Sequence, residues 1–238
     1  MADLAKKRNE DRLNALVRQG ICPGMFEAGT NAIMLLAEAG DVESVNFLIT
    51  KFKANPEHAL EGYARGGHTA QIEKLLQEGR SLQYVFRGLA YGGHVDLIEA
   101  EKTKIANTIF GDSFAEDIAY GFALKGDETQ VAKCLSETNT HAVLAMAKQG
   151  YALGRHTALL QQVQIEEDSE LESQLLYCYA KGGHSEIVNE ITDSFEVDEK
   201  AILGYGAGGH FHADRHFYYC QIHLLYQIRT YGFLSRYK

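Results

Sequence analysis

A seven-residue pattern recurs through this chain at a near-constant period, and it restricts the fold more than any other feature. It reads LLAEAGD at 35–41, GYARGGH at 62–68, GLAYGGH at 88–94, GFALKGD at 121–127, GYALGRH at 150–156, CYAKGGH at 178–184 and GYGAGGH at 204–210. The last positions fall at 41, 68, 94, 127, 156, 184 and 210, giving intervals of 27, 26, 33, 29, 28 and 26. Self-similarity at periods of about 20–50 residues marks repeat architectures, in which a unit buries its apolar face only against its neighbours. After each of the first six copies comes an amphipathic stretch such as HTAQIEKLLQEG or DETQVAKCLSE. Apolar residues there fall at helical spacing, as in Ile72, Leu75 and Leu76, or Val131 and Leu135.

The physical reading is a helix–turn–helix unit. A small–aromatic–small step such as Gly62-Tyr63-Ala64 or Gly121-Phe122-Ala123 lies in the first helix. Its small residues let neighbouring helices approach, and its aromatic fills the space between units. Gly40, Gly67, Gly93, Gly126, Gly183 and Gly209 stand where that helix must stop, and Gly takes the left-handed conformation of a helix C-cap without steric cost. Asp41 and Asp127 are good N-caps for the second helix. His68, His94, His156, His184 and His210 are weaker caps and are expected to hydrogen-bond locally across the turn. Arg155 interrupts the Gly series, so its turn should be strained or shifted. The 33-residue interval places the longest loop near 103–112.

Composition narrows the classes. The chain has 238 residues, 45% of them hydrophobic, which is enough for a real core. More than half of its 23 Gly lie inside the seven motifs, so they punctuate repeats and do not make linkers. A net charge of −9, from 23 basic and 32 acidic residues, argues against a nucleic-acid backbone as partner, because that needs a concentrated basic face. No apolar run approaches the roughly 20 residues of a membrane span. The N-terminal MADLAKKRNEDRL has no signal-peptide core. Cys22, Cys134, Cys178 and Cys220 form no CxxC and read as reduced thiols, with Cys134 and Cys178 on apolar helix faces. A cytoplasmic protein is the expectation.

The stretch YARGGHTAQIEKLLQEG resembles the ankyrin-repeat core, in which a short helix, a Gly-His turn and a second, Leu-rich helix recur. The resemblance covers roughly residues 30–225 and lacks the TPLH opening of that family. Five of the six intervals are shorter than the family's 33 residues, and the missing residues would be those of its projecting β-hairpin. The resemblance therefore implies ankyrin-like helix pairs joined by short loops, with few or no strands, and a protein-binding surface. Divergent arrays of this kind also resemble those in effectors secreted by intracellular bacteria, which would place the chain in a host cytosol without a cleavable signal peptide.

Candidate chemistry concentrates at the C-terminus. In HFHADRHFYYCQIH, His212, His216, Cys220 and His223 would share a helix face and are compatible with holding Zn²⁺. The alternative is a capping helix whose His and Cys touch the last repeat. Ala213 stands where a zinc-protease Glu would be, and no CxxC supplies a second ligand pair. The Gly-His turns, about 10 Å apart in stacked helices, are too far apart to share a metal. Residues 211–238 also hold eight of the 24 Phe and Tyr and four basic residues against one acid. They suit a cap, a dimer contact or a junction to a further region. Glu166, Glu167, Asp168, Glu170 and Glu172 read as a solvated helix start. No P-loop, GxGxxG or GxSxG is present, and Cys22 has no base assigned to it in the sequence.

The fold expected is all-α: a solenoid of about seven ankyrin-like helix pairs in a single domain over 1–238. Residues 1–28 would form an N-terminal cap and turn, 29–210 the repeats and 211–238 an aromatic, basic cap. Its expected function is recognition of another protein, with no cofactor and no bond made or broken. Arg65, Tyr91, Lys125, Leu153, Lys181 and Ala207, preceding the turn glycine of each unit, are the candidate rim of the binding surface, with Tyr218 and Tyr226 from the C-terminal segment. The alternatives are a metal-dependent or thiol enzyme built on His212, His216, Cys220 and His223, or the repeat domain of a larger protein whose activity lies elsewhere.

Overall fold

Each motif ends one helix and starts the next. The computed structural model describes residues 28–52, 54–106, 114–138, 140–165, 169–192 and 199–208. Over these the chain forms thirteen helices and no strand. Six pairs run in order: α1 (Ala28–Glu38) with α2 (Val42–Phe52), α3 (Pro56–Arg65) with α4 (Thr69–Gln77), and α5 (Leu82–Gly92) with α6 (Val95–Ile105). They continue as α7 (Ala115–Lys125) with α8 (Glu128–Glu137), α9 (His141–Gly154) with α10 (Thr157–Gln162), and α11 (Ser169–Lys181) with α12 (Ser185–Ile191). A seventh first helix, α13 (Glu199–Gly208), follows. No helix among the described residues is long and apolar enough to cross a membrane. The expected terminal caps lie outside the described residues, as do Cys22, Glu166, Glu167, Asp168, Gly209 and His210.

The odd-numbered helices pack on one another in sequence, and each even-numbered helix lies against the first helix of its own pair. The step between first helices is set by the first residue of the motif. A Cβ on Gly62 would sit 2.4 Å from Met34 O and 2.7 Å from the Ala37 Cβ. The same pairing recurs for Gly88 on Glu61 O and Ala64, Gly121 on Arg87 O and Ala90, Gly150 on Tyr120 O and Ala123, and Gly204 on Tyr177 O and Ala180. Each Gly thus lies on the backbone of the preceding first helix beside the motif alanine. Ala37, Ala64, Ala90, Ala123, Ala152 and Ala180 are all 0% exposed. Between them, Tyr63, Leu89, Phe122, Tyr151 and Tyr179 turn the second motif position into the core, where they meet Ile72, Ile98, Val131, Leu160 and Val188 from the second helices.

The turns close as expected, by a Schellman arrangement. In the third unit His94 N–H donates to Leu89 O at 2.9 Å and Gly93 N–H to Ala90 O at 3.0 Å. The sixth motif residue has positive φ in every described unit: Gly40, Gly67, Gly93, Gly126 and Gly183. In the fifth unit it is Arg155, at φ 67°, the one non-glycine there among the described residues. The turn keeps its shape and the side chain bears the strain. α6 extends to Ile105, so helix occupies the start of the span expected as loop.

Capping differs from the expectation. Asp127 caps α8 by accepting from Gln130 N–H at 3.1 Å, and Asp41 accepts from Ser44 N–H at 3.1 Å. Among the described residues, no motif histidine caps its own second helix through its side chain. Each ring instead reaches the preceding unit. His68 Nε2–H donates to Glu38 O at 2.8 Å, His94 to Arg65 O at 2.8 Å, His156 to Leu124 O at 3.3 Å and His184 to Leu153 O at 3.2 Å. Facing a carbonyl, Nε2 must be the protonated nitrogen. The acceptor is the carbonyl at motif position four, which a helix end would otherwise leave to solvent.

Two substitutions test these constraints. Gly121→Ala should lower stability by about 1–3 kcal/mol through overpacking against Arg87 O, read as a lower urea midpoint with an unchanged slope. Arg155→Gly should raise stability by about 1 kcal/mol, because the left-handed conformation then costs no Cβ clash. A neutral or destabilising result in thermal melts would remove strain from the account of that turn.

Candidate functional site: a groove on the first helices

The row of first helices leaves one stripe of each helix free. Measured from the first motif residue, the stripe holds the residues four before, one before and three after, a spacing that keeps them on one helix face. In α3 these are His58, Glu61 and Arg65; in α5 they are Tyr84, Arg87 and Tyr91. These six residues line a single groove of about 470 Å³ that also takes in Met34, Leu35, Tyr120, Leu124, Leu153, Lys181, Ala207 and Gly208. Residues from the second unit and from the sixth therefore share one concavity, so the row is curved.

Five of the six rim residues proposed from the sequence line this groove: Arg65, Tyr91, Leu153, Lys181 and Ala207. Lys125 does not. It is exposed, and its Nζ lies over Gly93, 2.5 Å from where a Cβ there would stand. Leu124 takes the groove place in that unit. The turn explains the slip of one residue. Where the motif ends in His, position five is glycine: a Cβ on Gly66, Gly92 or Gly182 would lie 2.3–2.6 Å from the carbonyl of Glu38, Arg65 or Leu153 and 2.4–2.5 Å from the ring of His68, His94 or His184 bonded to it. Where it ends in Asp the ring is absent and position five is free to carry Ala39 or Lys125. Counting back from the turn glycine then lands on a residue outside the groove. The coupling of Gly five to His seven was visible in the sequence and would have found Leu124. Tyr218 and Tyr226 lie outside the described residues.

The groove is polar at its centre. Arg65 Nη2 donates to Glu61 Oε1 at 2.6 Å, and its guanidinium lies 4.1 Å from the Tyr91 ring centroid. Arg87 Nη2 donates to Asp117 Oδ1 across α5 and α7 at 2.6 Å, with its guanidinium 4.6 Å from the Tyr120 centroid. Lys181 Nζ sits 5.6 Å from the Tyr177 centroid. Cation–π contacts of this kind contribute about 0.5–2 kcal/mol, more as water is excluded. Glu61 is only 5% exposed, so its pairing with Arg65 is required more than it is stabilising. Removing either partner would strand a buried charge. The Nε atoms of Arg65 and Arg87 are buried and have no hydrogen-bond partner among the described residues.

Electrostatics follow from this burial. The Asp117 carboxyl is held above its ordinary range by burial, which outweighs the lowering effect of Arg87. The His58 imidazole is held below its usual value, first by burial and then by Lys181 and Arg87, against the opposing pull of Glu61 and Glu57. Lys181 acts on His58 from four units away, which is the curvature of the row expressed as charge. Burial also raises the Tyr120 hydroxyl.

Neither described cysteine is an activated nucleophile. Burial pushes the Cys178 thiol up to about 12 and raises that of Cys134. Cys178 occupies the place of the stacking glycine in its unit. The described residues contain no group of three or more His, Cys, Asp or Glu able to hold a metal. The proposed ligands His212, His216, Cys220 and His223 lie outside them. No protein-family model, curated protein or solved structure matches the chain.

Thiol mapping checks the burial of Cys178. In native protein treated with iodoacetamide near pH 8, Cys178 should stay unmodified while Cys134 reacts slowly, and denaturant should make both react at the rate of free thiols. Native labelling of Cys178 as fast as Cys134 would contradict its placement between helices.

Proposed function

We propose that the chain is an ankyrin-like helical repeat array, acting in the cytoplasm, that binds an extended segment of another protein along this groove. One observation carries the reading. Motif position four of six successive units, from Arg65 to Ala207, faces a single concavity. A backbone held rigid by the same stacking contacts in unit after unit thus presents a different side chain at each step. That arrangement reads a sequence and has no evident use in a core. The groove joins a dense hydrophobic and aromatic lining to a few polar groups already fixed in place, the composition of a recognition site. Tyr and Arg are also the residues most enriched where binding energy concentrates. The mechanism is recognition alone: the side chains of one helix stripe meet successive side chains of the partner.

The test compares two variants. Tyr91→Ala with Leu153→Ala should weaken binding of a captured peptide or protein at least tenfold, whereas Lys125→Ala, outside the groove, should leave it within twofold. Affinities from fluorescence anisotropy decide. Equal losses in both variants, or no loss in either, would remove the groove as the binding surface.

A further inference from the structure

The charge of the groove opposes that of the molecule. The chain carries 32 acidic and 23 basic residues, yet the groove lining holds Arg65, Arg87 and Lys181 against Glu61. Asp117, on the same stripe of α7, pairs with Arg87, so the groove sets three cations against two carboxylates and its local charge is still opposite in sign to that of the whole chain.

The geometry of both guanidiniums fits a further acceptor. Each resident carboxylate takes one Nη of its arginine through one oxygen, at 2.6 Å. A guanidinium offers five donors in a fixed fork; the Nε of each is buried, so the Nη hydrogens not taken by the resident carboxylate are the ones a ligand meets. The rings of Tyr91 and Tyr120 lie 4.1 and 4.6 Å from the two guanidinium carbons. The order is already present before anything binds, so little side-chain entropy is lost when a carboxylate arrives. Around these heads lie Tyr84, Leu124 and Leu153, which suit apolar residues between the acids.

We infer that the groove takes an extended acidic peptide whose carboxylates meet Arg65, Arg87 and Lys181 while its apolar side chains lie on Tyr84, Tyr91, Leu124 and Leu153. The inference rests on the groove being the binding surface. A basic peptide would add charge of the same sign to the lining. A long polyanion such as nucleic acid would meet the net −9 of the whole molecule, whereas a peptide of about ten residues meets only the groove.

The experiment selects peptides from a random twelve-residue display library on the full chain, then measures the most enriched ones by fluorescence anisotropy. Asp and Glu should outnumber Lys and Arg at least threefold among them. Their Kd should rise at least tenfold in Arg65→Glu with Arg87→Glu, and at least threefold in Lys181→Glu alone, which leaves the Arg65–Glu61 and Arg87–Asp117 pairs in place. Circular dichroism melts identify any variant that fails to fold, in which case Lys181→Glu and the salt dependence of Kd decide. Peptides with no acidic bias that nonetheless lose affinity in Tyr91→Ala with Leu153→Ala would overturn the acidic assignment and leave the groove as a binding surface. Enriched peptides indifferent to every groove variant, or no enrichment at all, would overturn both.

Discussion

The row of helices depends on one contact: a glycine α-carbon laid on the carbonyl of the preceding first helix. Without a Cβ, two helix backbones come together beside an alanine, and the distance between units is fixed by backbone atoms that cannot change rotamer. This matters because packed interiors tolerate little volume error. Repeating the contact at Gly62, Gly88, Gly121, Gly150 and Gly204 makes the spacing uniform where it occurs. The histidine bonds then act as a second tie between the same neighbours, each supplying a donor to a helix-end carbonyl. Such a bond contributes about 1 kcal/mol net, repeated from unit to unit. The glycine sets the step and the histidine closes the end of it.

From this follows the division of each first helix into four faces. Successive helix residues turn by about 100°, so motif positions one to four point in four directions. Position one lies back on the preceding unit, position three receives the next, and position two enters the core. Position four is left for the groove, with the residues one and two turns before it. Three faces are committed to packing and keep small or apolar residues. Only the fourth is free to vary, and it does vary: Arg65, Tyr91, Leu124, Leu153, Lys181 and Ala207. Variability at one face and constancy at three follows from packing that constrains three faces and leaves the fourth unconstrained.

How much of this was legible in the sequence depends on whether the signal was local. The helices, their Schellman turns and the role of small–aromatic–small steps follow from residues adjacent in the chain. The histidine's true partner does not, because it lies about thirty residues earlier, in another unit; local reasoning assigned it a bond across its own turn. The place of Lys125 outside the groove has the same root. Position five lies against the carbonyl and histidine ring that tie neighbouring units, and the ring is absent from this unit. The ion pair of Arg87 with Asp117 and the nearness of Lys181 to His58 arise from the stacking and curvature of the row, and no motif spacing encodes them. The C-terminal segment with His212, His216, Cys220, His223, Tyr218 and Tyr226 is read from the sequence alone.

Cys178 is the exception that shows what the glycine does. In its unit the first motif residue carries a side chain, in a place where elsewhere even a Cβ would collide with backbone. Its helix, α11, makes the sparsest junction of the row with α9, and a hydrogen bond between Gln149 and Gln174 at 2.7 Å spans the two. The thiol is nonetheless buried, so the space between the two helices is filled. Leu153 and Lys181 stand on either side of this junction and line the groove. Any change of step that the side chain imposes there shifts Lys181 relative to Arg65 and Arg87, so the position of the third cation is tied to the residue that replaces the stacking glycine. The departure from the repeat thus helps set the shape of the groove.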